Sequence, residues 1–401
     1  MLLLLLHPGH LRTLTTRVTH VLPVSDDGGS TAEIVRVLGG PAVGDLRSRC
    51  LRLADSSDEE GRAVKALLAH RLSATDALAA KQEWYNIVEG QHMLWQGVSQ
   101  PYKHVIRAFL AFFQAQIFGH STARFDFSNG SIGNFFFAGA RTFFRSLEAA
   151  VFLFSRVARI PEGCMVLPAI CTEERITLGA ELEDGTVIKG QNQISHPPST
   201  EAPSSVCKQA HGSPPLPAPI RRVFYLSSEG TGQQHEVLPS AHPTALAEVQ
   251  KADAVIYGMG SLYTSICPIV CLSGMGEAIA SREIPKIMLL NGSHDRETSS
   301  SGAHEGPMTA ADMVQAISDA LNRRRNRQGQ RLRHPPSSYV TALLVPKDGS
   351  ITVDHQALKL LGIKHILEVE SVPDAEGSML FEPAALVTSI SRVLQLSKQQ
   401  Q

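Results

Sequence analysis

Residues 21–34 read "VLPVSDDGGSTAEI", and this stretch decides the class of fold. The β-branched, apolar run from Val18 to Val24 has the make-up of a buried strand. It ends on two adjacent carboxylates, Asp26 and Asp27, followed by Gly28 and Gly29. From Ser30 to Leu38 the apolar spacing turns helical. A strand that passes through a polar turn into a helix is the first half of a β-α-β unit, and the same alternation returns later in the chain.

The turn admits two readings. Ser30 with Glu33 three residues on has the spacing of a capping box, and the glycines allow a tight turn. That accounts for a helix cap. It leaves the paired acids unexplained, because neighbouring carboxylates repel unless a cation, an arginine or solvent intervenes. The second reading has one of the two ligate Mg²⁺ or take a proton from an attacking hydroxyl.

Outward from this stretch, helical spacing covers Leu46–Ala54, Arg62–Leu72, Asp76–Val88 and His104–Gln116, with one or two buried helices in 131–159. Met165–Pro168 reads as a short strand. "RITLGAELEDGTVIKGQ" reads as a hairpin around Asp184-Gly185. Residues 195–219 are rich in Pro, Ser and Ala and cannot build a core, so they form a solvated insertion. After it, strands Val223–Leu226, Ala254–Tyr257, Ile287–Leu290, Tyr339–Val345 and His365–Val369 alternate with helices Pro243–Lys251, Ala310–Leu321 and Ala384–Leu396. This predicts an α/β fold with a parallel sheet covered on both faces. The domain is single, in two parts (18–194 and 220–400) around the 195–219 insertion.

Composition bounds the function. The 401 residues are 43% apolar and 19% charged with a net charge of -1, which suits a large globular protein and offers nothing global to nucleic acid or an anionic membrane. The most apolar window, 134–160, carries Arg141, Arg145, Glu148 and Arg156 and is no membrane span. The six cysteines lack metal-site spacing and read as thiols in a reducing compartment. A cytoplasmic location follows, with organellar targeting as the alternative, since "MLLLLLHPGHLRTLTTRVTH" is free of acids and holds Arg and Thr. Residues 322–338, with six arginines and Pro-Pro, read as a solvated loop.

In an open parallel sheet, ligands bind beyond the carboxyl ends of strands. Besides the Asp26–Ser30 turn, two stretches sit there. "VIYGMGSLYTSI" follows a strand with Gly258 and Gly260 and then starts a helix. Its amides suit phosphate, with Ser261, Thr264 and Ser265 adding hydroxyls. Tyr263 replaces the third glycine of a dinucleotide fingerprint, so a plain βα turn is the other reading. "LLNGSHDRET" runs into Asn291 and Gly292, as a second ligand loop or an ordinary turn. Two further segments add polar groups. Gly44-Asp45 precede a helix that Asp45 is placed to cap, and Arg47 points into a site or into water. Gly133 and Asn134 head an aromatic helix, where Asn134 is a satisfied buried amide or a ligand contact.

As a set, "SDDGGSTAEIVRVLGGPAVGDLRSRCLRLAD", "SNGSIGNFFFAGAR", "ELEDGTVIKGQNQISHP" and "ADAVIYGMGSLYTSICP" resemble the 2-phospho-L-lactate transferase (CofD-like) family, which includes the bacterial gluconeogenesis-factor (YvcK-like) branch. "EWYNIVEGQHMLW" and "GGPAVGDLRSR" resemble eukaryotic members. The resemblance implies a Rossmann-like three-layer αβα fold. It implies transfer of a phospho-lactyl group from a nucleotide diphosphate carrier of GDP type to a deazaflavin hydroxyl, with Mg²⁺. Asp26 and Asp27 match the metal and acceptor side, and Gly133-Asn134 and Gly258–Ser265 the nucleotide side. The "GMGSLYTSI" form is closer to the gluconeogenesis-factor branch. That branch implies a non-catalytic regulator binding a nucleotide sugar or dinucleotide. Family members open on a strand and a Gly-rich phosphate loop, where this chain has "MLLLLLHPGHLRTL". Either a truncated chain or a degenerate member that has lost part of its nucleotide site is the expectation, with an incomplete sheet edge and weakened binding. A small-molecule nucleotide is the expected partner, with a homodimer, the commonest symmetric assembly, as the candidate oligomer.

Overall fold

The computed structural model describes residues 13–26, 28–120, 124–196, 214–228, 233–300, 306–323 and 331–399. Asp27, the first twelve residues, most of the 195–219 insertion and part of the arginine loop therefore lie outside the described residues.

The first strand, β1 (Val18–Leu22), runs through the Asp26 turn into α1 (Gly29–Leu38). A helical block follows: α2 (Gly44–Leu53), α3 (Glu59–Ala69), α4 (Ala77–Glu89), α5 (Gln100–Gly119), α6 (Ile132–Phe144) and α7 (Leu147–Val157). Helix α6 is buried over its first ten residues, which is why its sequence is apolar all round. Around it Trp84 stacks on Phe127 at 5.5 Å and meets Phe113 and Phe135 edge-on, while its indole N–H donates to Gln114. Trp95 is also buried and donates to the Ile87 carbonyl. The region 131–159 is thus two helices, divided at Arg145, which sits in the left-handed region (φ 49°).

Strand β2 (Cys164–Pro168) pairs with β1 in parallel. The hairpin β3 (Thr177–Leu182) and β4 (Val187–Lys189) forms at Asp184-Gly185, and the short α8 (Gln191–Ser195) follows it. Then come β5 (Ile220–Ser227), β6 (His235–Val237), α9 (Pro243–Lys251), β7 (Val255–Tyr257), a π turn at Leu262–Ile266, α10 (Cys267–Val270), α11 (Met275–Ala280) and β8 (Lys286–Leu289). The chain closes with α12 (Ala310–Asn322), β9 (Ala342–Pro346), α13 (His355–Leu360), β10 (His365–Val369), the hairpin β11 (Ser371–Pro373) and β12 (Met379–Phe381), and α14 (Pro383–Lys398).

Strands β7 to β10 form a parallel sheet in the order β10-β9-β8-β7. Alternate residues face opposite cores. Ile287, Leu289, Ala342 and Leu344 pack with Leu386, Ile390 and Val393 of α14. Met288 and Leu343 face the other way, into the large core shared with Val314 and Ile317 of α12. That is the three-layer αβα arrangement. The parallel strands form two ladders, β1-β2 and β7–β10, and no ladder joins β1 to β7 among the described residues.

Three local expectations need correction. Strand β5 does not join the parallel sheet: it lies antiparallel between β3 and β6. Its near-continuous burial gives it the apolar run of a parallel strand, so the sequence pattern could not tell the two apart. Ser30 does not cap α1. The helix starts one residue earlier with Gly28 as N-cap and no side-chain cap, while Glu33 pairs with Arg36 and accepts from the Asp126 amide. Asp45 does not cap α2 either; Val43 holds that position and Asp45 sits in the first turn, where its charge favours the positive helix end.

Candidate functional site

The β1 turn delivers Asp26 to the carboxyl end of the strand. Its Oδ1 accepts the Gly28 amide at 3.1 Å. A Cβ added to Gly44 would lie 2.8 Å from Thr31 Oγ1 and 3.9 Å from Asp26 Oδ2. A Cβ on Gly28 would lie 3.7 Å from Asn192 Oδ1. Thus Asp26, Gly28, Thr31, Gly44 and Asn192 lie close together. The oxygens of Asp26, Thr31 and Asn192 are hard donors of the kind Mg²⁺ takes, and Mg²⁺ needs only one or two carboxylates beside substrate phosphate. Among the described residues no cluster of three or more His, Cys, Asp or Glu side chains forms a metal cage.

Next to this group stands Asn134, which is 2% exposed. Its amide nitrogen donates to Ser30 Oγ at 2.9 Å and Thr31 Oγ1 at 3.4 Å, and its oxygen accepts Arg47 Nε at 3.0 Å. Both ends of the amide are committed to protein groups, so the side chain positions α1 against α6 and holds Arg47. Gly133 makes this possible. A Cβ there would meet the Leu68 carbonyl oxygen at 2.4 Å and the Arg47 stem at 3.1 Å. Arg47 is half-buried and turned to Asn134. Burial, with the charge of Arg71 adding to it, pushes its guanidinium down to about 10.

The second loop is built differently from the expectation. Gly258 and Gly260 follow β7, and Gly260 (φ 150°) is clamped by Asn291, which accepts its amide at 3.2 Å and donates to its carbonyl at 3.0 Å. The amides of Tyr263 and Thr264, expected to face phosphate, already donate to Glu297 Oε2 at 3.0 and 3.1 Å. Glu297 Oε1 accepts the hydroxyls of Thr264 at 2.5 Å and Ser195 at 2.8 Å. The carboxylate is 2% exposed, and desolvation, followed by the charge of Asp295, pushes its pKa up to about 8 against the pull of those hydrogen bonds. Tyr263 is buried, its phenol pushed well up by desolvation, and Ser261 and Ser265 are half-buried.

Helix α8 ties the two regions together. Ser25 Oγ donates to Gln191 Oε1 at 3.1 Å at one end, and Ser195 meets Glu297 at the other. Arg296 Nη1 donates to the carbonyls of Gln193, Ile194 and His196, closing the end of the helix. Sequence reasoning had passed over Thr31, Gln191, Asn192, Ser195 and Glu297. The signal for Asn192 lay in Gln191-Asn192 directly after the hairpin. For Glu297 there was none, since nothing local marks an exposed-looking "DRET" as the partner of a loop more than thirty residues away.

A hollow of about 430 Å³ at the ends of β2 and β5 is lined by Ile170, Thr172, Glu174, Val237 and Ser240, and contains none of the residues expected from the sequence to form a site.

Comparison with known proteins places this geometry in context. The family model described as 2-phospho-L-lactate transferase CofD matches residues 8–369. A Saccharomyces cerevisiae protein described as uncharacterized is 32% identical over 90% of this chain and 89% of its own length. A putative gluconeogenesis factor from a Nostoc species is 25% identical over 94% of this chain and 63% of its own. The gluconeogenesis factor of Halalkalibacterium halodurans is 26% identical over 77% of this chain and 68% of its own. In fold, the chain is similar to the crystal structure of a UPF0052 family member from Bacillus halodurans, with a TM-score of 0.59 at 20% identity over 93% of this chain and 91% of that one. Among the described residues no helix is long and apolar enough to cross a membrane.

Proposed function

Because the chain belongs to the 2-phospho-L-lactate transferase CofD family, we propose that it is a transferase acting on a nucleotide-linked phosphoester. The observation that carries the reading is the group of hard oxygens at the end of β1, where Asp26 lies near Gly44, Thr31 and Asn192. The donor is a phospho-lactyl or similar group joined through phosphorus to a nucleoside monophosphate, of GDP type. An acceptor hydroxyl attacks that phosphorus. A new O–P bond forms, the P–O bond to the nucleoside monophosphate breaks, and the hydroxyl proton passes to Asp26 or Asp27. Asp27, with Asp26 assisting, would hold Mg²⁺, which when bound would supply neutralisation of phosphate charge. The work of the remaining residues is positioning. Asn134 fixes α1 against α6, Arg47 is held by Asn134, and Gly260 with Asn291 shapes the far loop. Gly29, Ser30, Gly133, Gly258, Ser261, Tyr263, Thr264 and Ser265 complete the nominated nucleotide side.

A second reading is supported by two observations. Relatives are named gluconeogenesis factors, and Glu297 fills the amides that a donor phosphate was expected to use. On that reading the chain is a non-catalytic regulator that binds a nucleotide sugar or dinucleotide.

One experiment separates them. The protein is incubated with a panel of nucleotide-linked donors, hydroxyl acceptors and Mg²⁺, and binding and product are followed by mass spectrometry. The transferase reading expects product, reduced about 10²-fold or more in Asp26→Ala. Tight binding with no product from any pair sinks the transferase and leaves the regulator.

A further inference from the structure

Helix α5 is apolar on two faces. Its buried stripe is Ile106, Leu110, Phe113 and Ile117, packed into the helical block. A second stripe, Val105, Ala108, Ala111, Ala115 and Phe118, recurs at steps of three and four residues and is exposed, with Phe118 65% open to solvent. A helix that is apolar all round is ordinarily buried all round. Its neighbour α6 obeys that rule over its first ten residues, and α5 does not. From Val105 to Gly119 the one charged residue is Arg107, in a chain that is 19% charged. Arg107 is tied to α4, its Nε donating to the Val88 carbonyl at 2.9 Å, and Lys103 donates to the Gly90 carbonyl at 2.7 Å. The last turn of α6 widens the face. Phe143 lies edge-on to Phe109 and Phe112, with ring centres 5.5 and 5.3 Å apart, and Phe144 lies 5.5 Å from Phe109. Phe143 is nevertheless 56% exposed and Phe144 41%.

At about 200 Å² for a whole aromatic residue, Phe118, Phe143 and Phe144 alone expose roughly 300 Å², and Val105 and the alanines add to it. The largest apolar patch of an ordinary monomer is about 300–600 Å², and a standard interface takes about 800 Å² from each partner. The face therefore has the size for a weak, reversible pair. Its own pattern fits a second copy. In an antiparallel pair of α5 helices about a two-fold axis between Ala111 and Phe112, Phe118 falls opposite the partner's Val105, Ala108 opposite the partner's Ala115, and Ala111 opposite the partner's Phe112. The small residues let the two backbones approach, and Ala111 leaves room for the ring. An uncharged face also meets its own copy without like-charge repulsion. A bilayer is the competing apolar partner. Helices that lie on bilayers set Lys and Arg around the apolar face, whereas α5 ties Lys103 and Arg107 to carbonyls at the end of α4.

We propose that the exposed face of α5, with Phe143 and Phe144 beside it, is a docking surface for a second copy of this chain, the two α5 helices packing antiparallel across a two-fold axis near Ala111. The surface is independent of the chemistry given under Proposed function.

The test is sedimentation velocity of the full chain over about 1–100 µM, where weak interfaces exchange with monomer. Wild type is expected to pass from monomer to dimer across that range. Ala111→Glu sets two like charges face to face at the axis and is expected to weaken the dimer about tenfold or more. Ala111 is exposed and Glu is a good helix former, so the variant keeps its far-ultraviolet circular dichroism. The register has its own test. Ala108→Glu and Ala115→Lys are each expected to weaken self-association, and an equimolar mixture of the two is expected to restore the dimer, because the antiparallel pair brings position 108 of one chain to position 115 of the other. Wild type that stays monomeric throughout, or a dimer that Ala111→Glu leaves intact, overturns the proposal. A mixture no more dimeric than its components overturns the antiparallel packing. Co-sedimentation of monomeric wild type with phosphatidylcholine vesicles, lost in Ala111→Glu, overturns it in favour of a membrane.

Discussion

Glu297 is the residue on which the far loop depends. A buried carboxylate that takes two amides and two hydroxyls replaces the ligand that the same loop was expected to hold. Its pKa rises from an ordinary 4.5 to about 8 on folding, so between those values the folded chain holds a proton that the unfolded chain has lost. Stability is therefore highest below about pH 4.5, as far as this group is concerned, and falls as pH rises through about 8. Glu297→Gln keeps an acceptor for the amides and removes the charge. Its unfolding free energy is expected to change less between pH 5 and 8 than that of wild type, measured by urea denaturation and circular dichroism. Parallel pH profiles for the two chains would rule this out. Asp26 stood out as a candidate because two acids after an apolar strand break a local rule. Glu297 was not, because its meaning lies wholly in a long-range contact.

At the scale of elements, the first turn of α6 is held against α3 and α2 by the absence of a side chain at Gly133. Gly133→Ala pushes a methyl toward the Leu68 carbonyl oxygen, 2.4 Å from where it would sit, and toward the stem of Arg47. The expected cost is about 1–3 kcal/mol, the usual range for overpacking, read as a lower urea midpoint. An unchanged midpoint would show that the helices part freely. The helices and most strands were legible from periodicity within a few residues, because their buried faces repeat at fixed intervals. Strand β5 shows the limit. Burial on both faces looks the same in sequence whether neighbours run parallel or antiparallel, and only the partner in space decides. The caps of α1 and α2 failed for a related reason. Ser30 had a stronger tertiary partner in Asn134 than in its own helix end.

At the scale of the whole molecule, α8 connects the two loops, with Ser25 to Gln191 at one end and Ser195 to Glu297 at the other. If that link transmits ligand effects, Gln191→Ala and Glu297→Gln will not act independently on GDP affinity. A double-mutant cycle is expected to show a coupling of about 0.5 kcal/mol or more, and simple additivity would sever the link. The order of the motifs along the chain made the family legible, yet that order could not show that one short helix spans them. The placement of the two tryptophans has an optical consequence. Trp84 and Trp95 both lie in the helical block, one in the aromatic cluster and the other against Ile87, and the β7–β10 half contains none. Emission excited at 295 nm or so will follow the helical block alone. A blue-shifted spectrum that persists while the parallel sheet opens would pass for an intact protein, so the far half needs its own reporter, such as a tryptophan placed at Phe381.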